Sequence, residues 1–327
     1  MKRYILIAIL LFLMIFAILQ IDRDTIINSF SQVPIGLTLA LLFFQVFVQL
    51  LLNYQWFKIA RISSNDISFW DMFYINSQGA IIETITPGAK IGGELTRTIK
   101  IKKATSCATK EAAAIVALQK IFSMGAFLII LIFAVTYLIL NVDESFLFFS
   151  VYAQLSIYGI IFLCVVFLCA IIFAPSKLIL YVENTREPRF LWLKKIRGFF
   201  LVLLCYIMDV RQNKNWVQLG AISLAIWLFY PLRMYMLVML FYPEPQVLYI
   251  IAITFVAYMV AMLPIFPGGL GGFEGTMSAL LVVKGLTLSD AVVVSLLFRF
   301  VTFWFVMALS LVFIIFYRGY KVSTRRT

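Results

Sequence analysis

Seven stretches of this chain, residues 4–21, 35–57, 113–140, 146–174, 216–242, 247–266 and 291–317, are apolar runs of about 18 residues or more. At 1.5 Å per residue, each can reach across a hydrocarbon core of about 30 Å. In such a solvent the backbone must satisfy its own N–H and C=O groups, so each run is expected to close into a helix. Composition agrees: 63% of the residues are hydrophobic, and 13% are charged where a soluble domain carries roughly 25%. The first run follows Met1-Lys2-Arg3 and resembles a signal peptide, but Gln20, Ile21, Asp22 and Arg23 follow it and offer no small-x-small cleavage site. It reads as an uncleaved first span.

A net charge of +12 suggests nucleic acid in a soluble protein, but here the Lys and Arg residues gather in alternate loops. That is the positive-inside pattern, and nucleic acid is not expected as a partner. Lys2 and Arg3 place the N-terminus in the cytoplasm, and Arg318, Lys321, Arg325 and Arg326 place the C-terminus there too. The chain is expected to be a multi-pass protein of the cell membrane. The basic segment 175–215 is the main cytoplasmic loop, and within it 199–209 (FFLVLLCYIMD) is too short to span. It reads as an interfacial or re-entrant helix against anionic headgroups. The chain has no histidine, which removes His-based acid–base chemistry and most zinc sites. The four cysteines lack metal-ligand spacing and read as small packing residues. No metal, cofactor or catalytic residue is expected.

Two glycine-rich stretches interrupt the apolar pattern. PGAKIGGE begins at Pro87 and PGGLGGFE at Pro267, and both fit P-G-x-x-x-G-x-E. The register aligns Pro87 with Pro267, Gly88 with Gly268, Gly92 with Gly272 and Glu94 with Glu274. Irregular backbone at membrane depth is tolerated where protein or a watery cavity surrounds it. If 71–86 crossed the bilayer fully, Lys90, Arg97, Lys100, Lys102, Lys103 and Lys110 would all lie outside, against the charge rule. A hairpin entering from and returning to the cytoplasm removes the conflict, with Glu83, Glu94 and Lys90 inside the protein. By the same count, 247–288 begins and ends outside. Two related broken-helix hairpins of opposite orientation are what an inverted-repeat transporter shows. The expected fold is therefore all-α: a polytopic helical bundle of about 6–8 spans plus two re-entrant or broken-helix hairpins. It forms one integral membrane domain, 1–327, with repeat halves near 1–174 and 198–327. The plainer alternative is that both glycine turns are packing breaks.

Intramembrane charge favours the functional reading. A carboxylate at the centre of a span costs about 2.5–3.5 kcal/mol on insertion scales, and each turn carries one. Arg233, just after Pro231, and Arg299 sit too deep to reach the headgroups easily. They should pair with Glu94 and Glu274 or hold an anionic ligand. Lys120 lies nearer an end of its run and reads as snorkelling. Guanidinium forks and the N–H groups of a glycine turn at a helix start both suit phosphate oxygens. Gln45, Gln49 and Asn53 share one helix face, either for hydrogen bonds between helices or, less favoured, as a substrate-facing stripe.

PGGLGGFEG followed by LLFRFVTFW, with PGAKIGGELTR upstream, resembles the lysylphosphatidylglycerol synthase transmembrane-domain family of flippase-like integral membrane proteins. The resemblance covers nearly the whole chain. It implies a translocator of aminoacylated phosphatidylglycerol or of other lipids and lipid-linked glycans. Its pattern falls on Pro87, Gly93, Glu94 and Arg97, then on Pro267, Gly268, Gly269, Gly271, Glu274 and Arg299. Ala89-Lys90-Ile91 departs from it. Thr327 follows the last run by about ten residues, so no aminoacyl-transferase domain is expected. The expected function is translocation of an anionic lipid, with Arg97, Arg233, Arg299, Gly268, Gly269 and Gly271 around the phosphate. Glu94 and Glu274 would be switching carboxylates, and Pro87, Gly88, Gly92, Gly93, Pro267 and Gly272 would shape the breaks. The alternative is the membrane component of a phosphatidylglycerol lysyltransferase. Membrane phospholipids are the expected partners, and a separately encoded synthase or glycan-pathway protein is a further candidate.

Overall fold

The computed structural model describes residues 28–61, 67–86, 91–141, 151–185, 190–212, 215–263 and 269–324. The first apolar run, and with it Pro87, Gly88, Lys90, Pro267 and Gly268, lies outside them. Among the described residues the regular structure is entirely helical. In chain order the helices are α1 (Ile35–Ala60), α2 (Phe69–Ile85), α3 (Ile91–Thr105), α4 (Thr109–Asn141), α5 (Val151–Phe173) and α6 (Pro175–Asn184). They continue as α7 (Leu191–Gln212), α8 (Asn215–Val238), α9 (Val247–Ala261), α10 (Gly272–Val283) and α11 (Leu288–Arg299). A π-helical turn (Phe300–Trp304) joins α11 to α12 (Phe305–Thr324).

Four described helices are long and apolar enough to cross a bilayer: α1, α4, α8 and the continuous Leu288–Gly319. A fifth candidate is a bent pair, Ile161–Phe173 with Pro175–Asn184, turned by 89°. Pro175 sits at the first position of α6, where its missing N–H costs nothing. The run at 146–174 therefore ends in a sharp corner.

Two further pairs of shorter helices form hairpins, of which the second is apolar in both arms. In the first, α2 and α3 run antiparallel, with Gly79 against Arg97 and Glu83 against Gly93. A Cβ on Gly93 would stand 2.7 Å from the Gly79 carbonyl oxygen, so the two arms touch backbone to backbone. In the second, α9 and α10 run antiparallel. The Tyr249 hydroxyl donates to the Leu280 carbonyl at 2.6 Å, and the Tyr258 and Phe273 rings lie 4.9 Å apart. The apolar run at 247–266 is thus not one straight span: α9 stops at Ala261, with Pro264 following in the sequence.

Each hairpin has its own core. Trp56, Ile59, Met72, Ile75, Ile101 and Ile115 gather around the first, and Phe255, Phe273, Met277 and Phe298 around the second. Helix α4 contributes to both cores, Ile115 and Leu118 to one and Phe127 and Leu131 to the other. The segment expected at 199–209 belongs to a longer helix, α7, because its basic flank continues the same amphipathic turn. Leu203, Leu204, Ile207 and Val210 bury one face, while Lys194 and Lys195 stay exposed and Arg197 is half-buried.

Element order repeats along the chain. A long helix, a hairpin and a second long helix occur as α1, α2–α3, α4 and again as α8, α9–α10, α11–α12.

Candidate functional site

The second glycine turn is built by backbone demands that glycine alone meets cheaply. Gly269 and Gly271 have φ of 73° and 82°, in the left-handed region that a Cβ disfavours. Gly269 also lies so close to α9 that a Cβ would meet the Ala261 side chain at 2.9 Å. Gly271 caps α10, and Glu274, in its first turn, reaches back to accept the Gly271 N–H at 2.7 Å. The other carboxylate oxygen accepts from Arg299 Nε at 2.9 Å. The two side chains are 13% and 7% exposed, so the pair is sealed. Arg299 also stacks over the rings of Phe303, at 4.5 Å, and Phe273, at 5.4 Å.

Chemically, the Glu274 carboxylate occupies an anion cradle. A helix N-terminus, a glycine amide and a guanidinium converge on it, and these groups together suit a phosphate oxygen equally well. Release of Glu274 would free the Gly271 N–H and the Arg299 Nε–H together.

The first hairpin repeats the arrangement with different chemistry. Glu94, in the first turn of α3, accepts from Lys120 Nζ on α4 at 2.6 Å. Lys120 follows Glu94 by 26 residues, and Arg299 follows Glu274 by 25. Both bases stand on the long helix after their hairpin. Lys120, read from sequence as a snorkelling residue, is therefore the positional counterpart of Arg299. The matched spacing was the signal that could have found it. This pair is open: Lys120 is 40% and Glu94 32% exposed.

Arg97 is drawn into a second pair within the first hairpin. Both its terminal nitrogens donate to one oxygen of Glu83, at 3.1 and 3.2 Å, and its guanidinium lies over the Trp56 ring. Gly79 leaves room for it, since a Cβ there would come within 2.7 Å of Arg97 Nε. Gly92 and Gly93 sit in the first turn of α3, Gly93 buried against α2, and Gly272 opens α10.

Arg233 is different. It is fully buried in α8, two residues after Pro231, and pairs with neither Glu94 nor Glu274. Its Nε donates to the Phe229 carbonyl at 3.0 Å, and the guanidinium faces the Tyr230 ring at 4.7 Å. Among the described residues neither terminal nitrogen has a hydrogen-bond partner. A chain of rings links it to the sealed pair: Tyr230 to Tyr258 at 5.0 Å, then Tyr258 to Phe273, which lies under Arg299.

The amide face of α1 divides. Asn53 accepts from Asn76 Nδ2 at 2.9 Å and donates to the Phe69 carbonyl, which ties α1 to α2. Gln55, not singled out by the sequence, bridges α4 and α8 through Gln119 and Ser223. Gln45 is buried, and its side-chain carbonyl oxygen has no partner among the described residues.

Membrane-length helices surrounding two broken hairpins, each laying a first-turn glutamate against a base on the next long helix, define a polytopic membrane protein with charge held inside its bundle. The chain belongs to the lysylphosphatidylglycerol synthase TM region family, whose model matches residues 4–310. It is also similar to UPF0104 membrane proteins of archaea. One from Pyrococcus horikoshii is 24% identical over 99% of this chain and all of its own length. Another, from Methanothermobacter thermautotrophicus, is 22% identical over 84% of this chain and 83% of its own.

Proposed function

We propose that this protein moves a phosphate-bearing lipid, an anionic phospholipid or a lipid-linked headgroup such as that of aminoacylated phosphatidylglycerol, from one leaflet to the other. The observation that carries the reading is Arg233, a wholly buried guanidinium with two terminal nitrogens that have no partner among the described residues. A charge in hydrocarbon is expensive, and leaving buried donors unmade adds to the cost. A phosphate would supply the missing partners. In this reading the two hairpins act as gates. Glu94–Lys120, half open, is the gate through which a headgroup enters. Glu274–Arg299, sealed, holds the far side closed until Glu274 leaves its cradle and the Gly269–Gly271 turn and Arg299 accept the phosphate in its place.

The test is reconstitution of the purified protein into liposomes carrying fluorescent phosphatidylglycerol in one leaflet, with dithionite reporting the lipid exposed outside. Arg233→Gln is expected to slow exchange by about tenfold or more, the factor that 1.4 kcal/mol represents. If the unmodified protein exchanges no lipid, or Arg233→Gln exchanges it equally fast, the reading fails. Incubation with lysyl-tRNA and phosphatidylglycerol provides the other arm: aminoacylated lipid formed by this chain would make it a transferase instead.

A further inference from the structure

Away from the two hairpins, the last turn of α7 separates two cavities of opposite character. One, of about 70 Å³, is lined by Leu118, Ile121, Phe122, Ile172, Phe173 and Ile207, with Arg211 and Trp216 at its edge. It opens sideways, between the exposed side chains of Phe173 and Trp216. Arg211 donates to the Phe173 carbonyl at 2.8 Å and so stands at the mouth. The other cavity, about 520 Å³, is polar and lies among Phe57, Lys58, Arg61, Asp209, Asn215 and Leu219. Val210 is a wall of both, so the two lie one side chain apart.

Chemistry and placement fit one kind of molecule. The apolar cavity sits against the lipid-facing flank of the bundle. The polar one sits at the end where α1 finishes in Lys58 and Arg61. Lys58 is held by Gln218 and lies over Tyr54, while Arg61 faces the Phe57 ring and has no hydrogen-bond partner among the described residues. Against these two cations and Arg211 stands one carboxylate, Asp209, and the exposed Lys194 and Lys195 of α7 lie on the same helix. A short stretch of an acyl chain fits the first cavity and a phosphate the second, and a free phosphate ion would leave the first unused.

We propose that the cleft on either side of Val210 binds an anionic phospholipid of the surrounding leaflet, its acyl chain beside Phe173 and Trp216 and its phosphate between Lys58 and Arg61. The site is separate from Arg233 and Arg299, and it holds lipid whether or not the protein translocates any.

The experiment is native mass spectrometry of the full chain, detergent-purified and then offered phosphatidylglycerol, phosphatidylcholine or glycerol 3-phosphate. Phosphatidylglycerol should remain as an adduct at activation energies that strip phosphatidylcholine, and glycerol 3-phosphate should not displace it. Lys58→Gln and Arg61→Gln, both at the surface, should each weaken retention about fivefold, the effect of removing one cation near a lipid headgroup. Asp209→Asn should strengthen it. Phosphatidylglycerol held at Arg233 would have the same mass, so the Lys58→Gln and Arg61→Gln losses are read in an Arg233→Gln background, where they should persist even where exchange between leaflets is lost. Equal retention of both lipids, retention in that background indifferent to Lys58→Gln and Arg61→Gln, or displacement by glycerol 3-phosphate would each overturn the assignment.

Discussion

Glu274→Gln tests how much the sealed pair contributes to the fold itself. The substitution keeps the side-chain length and removes the charge. The carboxylate uses both oxygens, one for the Gly271 N–H and one for Arg299 Nε, whereas an amide offers a single acceptor. One of the two bonds is lost, and Arg299, 7% exposed, loses the carboxylate charge that its Nε faces. Breaking a buried pair from one side costs about 3–5 kcal/mol. The ring faces of Phe303 and Phe273 remain and offset roughly 1 kcal/mol, leaving a net loss of about 2–4 kcal/mol. Removing Arg299 as well eliminates that guanidinium charge, so the double variant Glu274→Gln/Arg299→Gln should be more stable than the sum of the single losses, by about 2 kcal/mol. Reversible unfolding in bicelles, with stability read by steric trapping, measures all corners of the cycle. A Glu274→Gln loss within about 0.5 kcal/mol and additive corners would show that the pair contributes nothing of this kind.

Lys120→Met should behave in the opposite way. Its pair is exposed, so folding stability should change by less than about 1 kcal/mol, yet leaflet exchange in liposomes should fall as it does for Arg299→Gln. Gly93→Ala inserts a Cβ 2.7 Å from the Gly79 carbonyl oxygen. Overpacking costs about 1–3 kcal/mol and better helix propensity returns about 1 kcal/mol, so the same unfolding assay should register a net loss of up to about 2 kcal/mol. Deleting one residue within Phe300–Trp304 should turn the π segment into α-helix and leave α12 in register, because a π turn carries one extra residue as a bulge. The Phe73 and Phe313 rings, whose centroids lie 4.4 Å apart, should therefore stay in contact, and cysteines at the two positions should be joined by a short bifunctional maleimide in the parent and in the deletion alike.

The helical class, the long spans and both hairpins could be read from the sequence, because lipid forbids irregular backbone and glycine and proline mark where it is broken. Glu274 and Arg299 were legible as partners for the same reason: deep charges seek opposite ones. Lys120 was not. A lysine near the end of an apolar run has a plausible exit to the headgroups, and nothing local tells that its ammonium instead turns to Glu94. Arg97 was expected near a phosphate, and the structure places it on Glu83, whose distance depends on how closely two arms approach at Gly79 and Gly93. The π turn after Arg299 left no trace in FVTFW, since helices of both kinds are built from the same apolar residues. It is nevertheless the joint of the helix that touches both hairpins, Glu274 through Arg299 above it, and Trp70 and Phe73 through Phe313 below.

Arg233 has an electrical consequence. The buried pairs Glu83–Arg97 and Glu274–Arg299 are neutral as units, so a membrane potential does little work on them. Arg233 carries a full charge that no described carboxylate cancels. A monoanionic headgroup bound there makes the loaded site neutral, while the empty site remains positive. If the site shifts relative to the field during turnover, the loaded step should be indifferent to voltage. The empty return would feel up to about 2.3 kcal/mol per 100 mV. An inside-negative potential would then draw the unladen arginine inward and bias the cycle toward reloading from that face.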